Sequence, residues 1–275
     1  MYKQVLTETN VYVMENNTGT KAMKDNSLKQ IELDNSFTSN KTGFAFFHET
    51  FVKRHSKILT KAIKKQSVII LLIFAVLFIM IKVNPAIGEP FNRITLVYLP
   101  YFVFIMYCIN RSSSVTQAMF MNCDHSMLTY RIYRTPKVIL GIFKERLKTL
   151  ITINLLPAIL IGSGLAMLLY ISGGTDNPMN YLIIIVSIIA MSIFFSVHYL
   201  VMYYLLQPYN ASTEMKSSTY KVVQGLTYFV VYWFIGIRIP TFYFGIAMII
   251  FCVGYSLISL FIAYKYAPKT FKLRI

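Results

Sequence analysis

The sequence predicts an all-α membrane protein with six transmembrane helices, an amphipathic surface helix before them, and a long helical cytoplasmic connection between spans two and three. Three observations predict it. Of 275 residues, 56% are hydrophobic and only 14% charged, against about 25% charged in soluble domains. The charges fall outside a few long runs of Ile, Leu, Val, Phe, Tyr and Met, and such runs match the ~20 residues that cross a hydrocarbon core. Finally, the 27 Lys and Arg outnumber 11 Asp and Glu and gather in particular connections, which is how a membrane protein encodes its orientation.

In chain order, residues 1–43 are polar, rich in Asn, Thr and Lys, and read as a cytoplasmic N-terminal segment. The first apolar run begins near residue 66, so no cleavable signal peptide is expected. From Phe44 the pattern changes. Phe44, Phe47, Phe51, His55, Ile58, Leu59 and Ala62 recur at helical spacing, with Lys53, Arg54, Lys57, Lys61, Lys64 and Lys65 between them. An apolar stripe opposite a lysine-rich face predicts a helix at 44–65 lying in the headgroup layer, its Lys53 to Lys65 face turned to anionic lipid. That explanation of the lysines is preferred to nucleic-acid binding.

Spans are expected at 66–83, 94–110, 149–172, 181–206, 221–237 and 239–264. The fifth would rise only ~25 Å at 1.5 Å per residue, short of the ~30 Å core. The turn after it, Arg238-Ile239-Pro240, is also tight, so Tyr228–Tyr243 fits a re-entrant excursion as well. Charge tests the topology. With both termini inside, 24 of the 27 basic residues are cytoplasmic and only Lys82, Arg93 and Arg238 are outside. Removing one span would carry the basic tail, 265–275, across the membrane, so an even number is favoured. Tyr98, Tyr170, Tyr181, Tyr199, Tyr220 and Tyr264 stand near span ends, as an aromatic belt requires.

The connection at 111–148 is the longest and carries pattern as well as charge. Asp124 is expected to N-cap a short helix through Tyr133; Thr135 and Pro136 mark a second helix start. That second helix places Ile139, Ile142, Phe143 and Leu147 on one side and Lys144, Glu145 and Lys148 largely on the other. Such a bent amphipathic pair suits docking to lipid headgroups or to a cytosolic protein. The third span then opens with Asn154 and Pro157 and runs through Gly162-Ser163-Gly164. Pro157 frees a carbonyl near Ile153, and the small residues permit close helix approach. A kinked, tightly packed helix explains this; a hinge beside a substrate path is the functional alternative.

The surface helix, the six-span core, the long helical connection and the string MNCDHSMLTYRIYRTPKVILGIFKERLKTLITINLLPAILIG together resemble permease subunits of type-2 ATP-binding-cassette exporters of Gram-positive bacteria. The resemblance spans 44–275 and is most specific at 115–174. It implies a permease domain at 66–264, an elbow helix at Phe44–Lys65, and a coupling element within Gln117–Lys137 that seats in a cytosolic ATPase subunit. Asp124, Tyr130, Arg131, Tyr133, Arg134 and Lys137 are its candidate residues. Six spans are half of such a transporter, so a homodimer or a sister permease half is implied.

Several chemistries are disfavoured by the residues themselves. Gradient-driven carriers place an ionisable residue within the membrane, and none stands inside the six expected spans except His198. His198 fits a proton- or substrate-binding role or a neutral imidazole bonded to a neighbour; without an acidic partner it makes a poor relay. A Ser163–His198 dyad is disfavoured because Ile161 replaces the first Gly of the rhomboid G-x-S-G pattern. His48 and His55 are expected to be interfacial, and His125 to serve packing. No P-loop and no H-E-x-x-H occurs. Cys108, Cys123 and Cys252 are too scattered for a disulfide framework or a zinc site.

The expectation is therefore a multi-pass cell-membrane permease that is not an enzyme, holds no cofactor, and exports a hydrophobic or amphipathic substrate with energy from a separate ATPase. Asn154, Pro157, Ser163 and His198 are its candidate kink or substrate-path residues. The alternative is a non-transporting membrane protein such as an immunity factor or a sensor-complex component.

Overall fold

A computed structural model describes residues 40–209 and 217–272, and the side chains of these except Ile58, Ile132 and Arg134. The N-terminal segment before residue 40, residues 210–216 and the last three residues, with Arg274, lie outside the described part. Among the described residues the protein is helical throughout: α1 (Gly43–Arg54), α2 (Ser56–Val83), α3 (Gly88–Val97), α4 (Tyr101–Ile109), α5 (Ser112–Met119), the single turn α6 (His125–Met127), α7 (Pro136–Ile171), α8 (Met179–Leu206), α9 (Ser218–Trp233) and α10 (Thr241–Thr270). Four of these helices, α2, α7, α8 and α10, are long and apolar enough to cross a membrane; a bent pair within 85–127 makes a fifth if counted as one span. The chain is a multi-pass membrane protein by these helices.

α8 is the central helix. Every residue from Phe194 to Tyr204 is buried, because its sequence is apolar on all sides and a helix of that kind is stable only when surrounded. α7 and α10 flank it along its length, and α2 packs on the outer side of α7. The small residues of α7 set these distances. A Cβ on Gly162 would come within 3.2 Å of the Ile185 Cα on α8, and one on Gly164 within 2.6 Å of the Phe74 ring on α2. The expected close approach is thus present on both sides of α7.

Two expected spans differ. The second was placed at 94–110, but the helix breaks at Tyr98–Pro100 and turns by 83°. Pro100 has no N–H to give and its ring opposes helix continuation. α3 consequently lies across one end of the bundle, where Asn92 donates to the Gly174 carbonyl (2.7 Å) and Thr241 Oγ1 donates to the Thr95 carbonyl (2.8 Å). The second path through the bundle starts at Tyr101 instead. The fifth expected span, α9, has 16 residues and a rise of ~24 Å. A 3-10 turn, Phe234–Gly236, and an extended stretch to Pro240 follow, so Tyr228–Tyr243 contains no pair of re-entrant helices.

The elbow expected at 44–65 is also divided. α1 ends at Arg54, His55 forms the break, and Ser56 to Lys65 are the first turns of α2. Of the expected stripe, Phe51, His55 and Leu59 are buried but Ala62 is exposed. Phe44 sits over Gly141, 2.5 Å from where a Cβ would be, which docks α1 on α7 rather than leaving it free. All six basic residues from Lys53 to Lys65 are exposed. The tyrosine belt holds in part: Tyr170 and Tyr264 are exposed, whereas Tyr199 and Tyr220 are buried inside the bundle.

Candidate functional site

The segment between α4 and α7 leaves the bundle at the end that carries the lysines, and three polar devices bind it to the core. The first is at Asn110–Arg111, where the helix is interrupted. Asn154 on α7 accepts from the Arg111 backbone N–H (3.0 Å) and donates to Ser112 Oγ (2.9 Å) and to Ser196 Oγ (3.0 Å) on α8. Ser192 on α8 donates to the Asn154 carbonyl (3.0 Å), next to the Ile153 carbonyl whose helical donor Pro157 removes. Arg111 Nε donates to Gln66 on α2 (3.0 Å). Asn154 thus belongs to a satisfied hub joining three helical segments; Thr152 instead donates to the Lys148 carbonyl.

The second device is an ion pair that the sequence did not suggest. Asp124 was expected to cap a helix, yet it makes no cap hydrogen bond and ends a π-helical turn, Phe120–Asp124. Its carboxylate receives both guanidinium N–H groups of Arg146 and the hydroxyl of Tyr203, while Arg146 Nη1 also donates to Tyr204 (3.0 Å). Asp124 and Arg146 are each 1% exposed. Phe271 stacks on Tyr204 (4.2 Å), and Thr270 donates to the Tyr204 carbonyl (3.0 Å), so α10 closes the cluster. The expected helix through Tyr133 is reduced to α6 and a 3-10 turn, Arg131–Arg134, because Asp124 faces inward and cannot cap it. The start at Thr135 and Pro136 is as expected, but the helix it begins runs unbroken into the third span.

Arg146 carried a signal nonetheless. It falls four residues after Ile142 and seven after Ile139, on the buried stripe that continues to Leu150, and a charge on such a stripe demands a buried partner. Of the coupling candidates, Tyr130, Arg131 and Lys137 are exposed and Tyr133 is half-buried, packing on Phe47 of α1 (6.3 Å). The Arg134 side chain lies outside the described ones. The outcome is a knob at 126–137, exposed at Ser126, Thr129 to Arg131 and Thr135 to Lys137 and seated on the buried Leu128, whose root is the buried Asp124 cluster.

The third device is α1. His48 and His55, expected to be interfacial, are 5% and 7% exposed. His48 Nε2 bonds to Thr149 Oγ1 on α7 (2.8 Å), and burial, helped by the charge of Arg146, pushes its imidazole down to about 4. His55 Nδ1–H donates to the Phe51 carbonyl (2.8 Å) at the end of α1; burial again lowers its pKa. His125 packs edge-on to Phe120 (5.9 Å).

Deeper in the bundle the remaining candidates separate. Ser163 is exposed on the outer face of α7 and donates to its own helix at Ile159 (2.7 Å). His198 bonds elsewhere, so no Ser–His dyad forms. Thr227 spends its hydroxyl proton on the Val223 carbonyl (2.8 Å), so toward His198 it accepts, and His198 Nε2–H donates to it at 3.1 Å. His198 Nδ1 then accepts from the Tyr255 hydroxyl (2.6 Å). The neutral imidazole therefore ties α8 to α9 and α10.

Beside this latch lies an apolar cleft of about 510 Å³. One wall is the face of α9 at Val223, Leu226, Thr227, Val230 and Val231, continued by Phe234 of the next turn; the other is α10 at Phe244, Ala247, Met248, Phe251 and Tyr255, with Phe194 and Val103 behind. A comparison with known protein families, curated proteins and solved structures returns no match to this chain.

Proposed function

We propose that the chain is the permease subunit of an ATP-binding-cassette exporter in a bacterial cell membrane, moving a hydrophobic or amphipathic substrate with energy from a separate cytosolic ATPase. One observation carries the proposal: an exposed knob at 126–137 is rooted, through Asp124 and Arg146, in the helices that form the membrane core. A partner pressing on Tyr130, Arg131 and Lys137 would act on α7 and α8 through a bidentate buried pair, without a flexible intermediary.

The topology supports this reading. Four helices are long and apolar enough to cross, and the bent pair makes a fifth; the reading takes the short α9 as the sixth crossing, which sets the knob, the exposed Lys53 to Lys65 face and the basic end of α10 on one side. That side would be cytoplasmic, in accord with 24 of 27 basic residues. Anionic lipid would meet the Lys53 to Lys65 face at ~1 kcal/mol per residue. Alternating access would follow as ATP binding closes two ATPase subunits and two permease halves rearrange.

Affinity purification from native membranes tests the proposal. A cytosolic ATPase should accompany the wild-type chain and be lost from the Tyr130→Ala/Arg131→Ala/Lys137→Ala variant. If no ATPase accompanies the chain, or if it stays after substitutions throughout 117–137, the proposal fails.

A further inference from the structure

The cleft between α9 and α10 is walled by two apolar faces that touch edge-on at Phe234 and Phe244 (6.0 Å) and stand apart between there and the His198 latch. The α9 residues at 223, 226, 227, 230 and 231 and the α10 residues at 244, 247, 248, 251 and 255 each follow the three-and-four spacing of a buried stripe. Helices with such stripes ordinarily interdigitate; here about 510 Å³ separates them. That volume lies within the ~300–1,000 Å³ of small-molecule sites. An unfilled space of this size would forfeit the dispersion contacts of both walls. The partial exposure of Leu226 (60%), Val230 (52%) and Phe251 (53%) places its mouth on the lateral surface of the bundle, which in a membrane faces lipid.

We infer that this cleft binds one hydrocarbon chain of a membrane phospholipid, drawn from the leaflet farther from the lysine-rich end. Three features select that occupant. The walls carry no charge, and their polar groups at His198, Thr227 and Tyr255 are already bonded to one another, so the ligand inside is apolar. Along α10 the cleft runs from Phe244 to Tyr255, about 16 Å at 1.5 Å per residue and close to half of a ~30 Å hydrocarbon core. That is the depth of one leaflet. The turn joining its two walls, beyond Phe234 and before Phe244, bears one charge, exposed Arg238, whose guanidinium lies over the Tyr98 ring (5.4 Å). A phosphodiester suits that cation, with the chain descending toward the His198 latch. The inference requires the chain to be in a membrane but requires no ATPase, so it stands or falls separately from the export proposal.

The test uses the full chain in phosphatidylcholine vesicles containing a small fraction of phosphatidylcholine with a photoreactive diazirine on one acyl chain. After illumination the labelled residues are mapped by mass spectrometry. Labelling at 226–231 and 247–251 should exceed that on the exposed face of α2 at Leu71, Leu72 and Val76. A diazirine near the headgroup should mark residues around Phe234 and Phe244; one at the chain terminus should mark those around Tyr255. Ala247→Trp and, separately, Val230→Trp should reduce cleft labelling to the α2 level while α2 labelling persists. Equal labelling of cleft and α2 in the wild type overturns the inference, as does a reversed depth order or full labelling in both filled variants. Because the wild-type measurement decides by itself, a variant that fails to fold does not protect the idea.

Discussion

Arg146 and Asp124 show how one pair of residues can hold a connection to a membrane core. Each is fully buried, so removing one partner strands the other. Arg146→Met should lower stability by about 3–5 kcal/mol, while Asp124→Leu together with Arg146→Met should recover much of that loss. Thermal unfolding in detergent reads both variants. The sequence placed Asp124 correctly in a special position and misassigned its role, since a local cap needs only neighbours and this carboxylate answers to Arg146 and Tyr203 from distant segments. His48 makes a pH prediction. Its folded pKa of about 4 lies below the ordinary 6.5, so the unfolded or undocked form binds more protons between those values. Docking of α1 is then complete above pH 6.5 and weakens as pH falls toward 4, by an amount of order 3 kcal/mol. Amide exchange in 43–54 should rise over that window, and His48→Gln should reduce the response to the part that the buried His55 contributes.

At the scale of elements, α7 depends on its glycines. Gly164→Leu would drive a side chain into the Phe74 ring, which already lies 2.6 Å from a Cβ position. Overpacking of this kind costs ~1–3 kcal/mol, and the expected sign is release of α2, seen as faster exchange there with α8 unchanged. α9 is held otherwise. It packs lightly, and His198 supplies a polar tie through Thr227, as Tyr220 does through Ser113. His198→Phe should therefore raise exchange across 218–233 more than in α10. The long apolar runs of α2, α7, α8 and α10 were legible because each exceeds a span length without interruption. The break at Tyr98–Pro100 was missed because apolar composition continues through it, and only the proline announced the turn. The latch was partly legible: His198 was visible as a lone imidazole, but Thr227 and Tyr255 come from two other helices and no local spacing connects them to it.

For the whole molecule, charge is the organising variable. The exposed Lys53 to Lys65 face, the knob at 126–137 and Lys265 and Lys269 share one end of the bundle, while Arg93, Asp176 and Arg238 stand at the other. That asymmetry is what supports the proposed orientation, with the lysine-rich end cytoplasmic. In a cysteine-free background, a membrane-impermeant maleimide applied to intact cells should label Asn177→Cys and leave Ser126→Cys unlabelled until the cells are permeabilised. Labelling of Ser126→Cys in intact cells would reverse the assigned orientation.

The 36-residue helix α7 gives the molecule a mechanical character. It is ~54 Å of continuous backbone, and Asn154, one of its polar anchoring points along with Arg146 and Thr149, stands at its midpoint. Were this central hub the stiffest of those ties, a tilt imposed where Pro136 meets the knob would return as an opposite displacement at Ile171. The Asn154 hub is then a fulcrum, and loosening it would leave both ends intact while severing the correspondence between their motions.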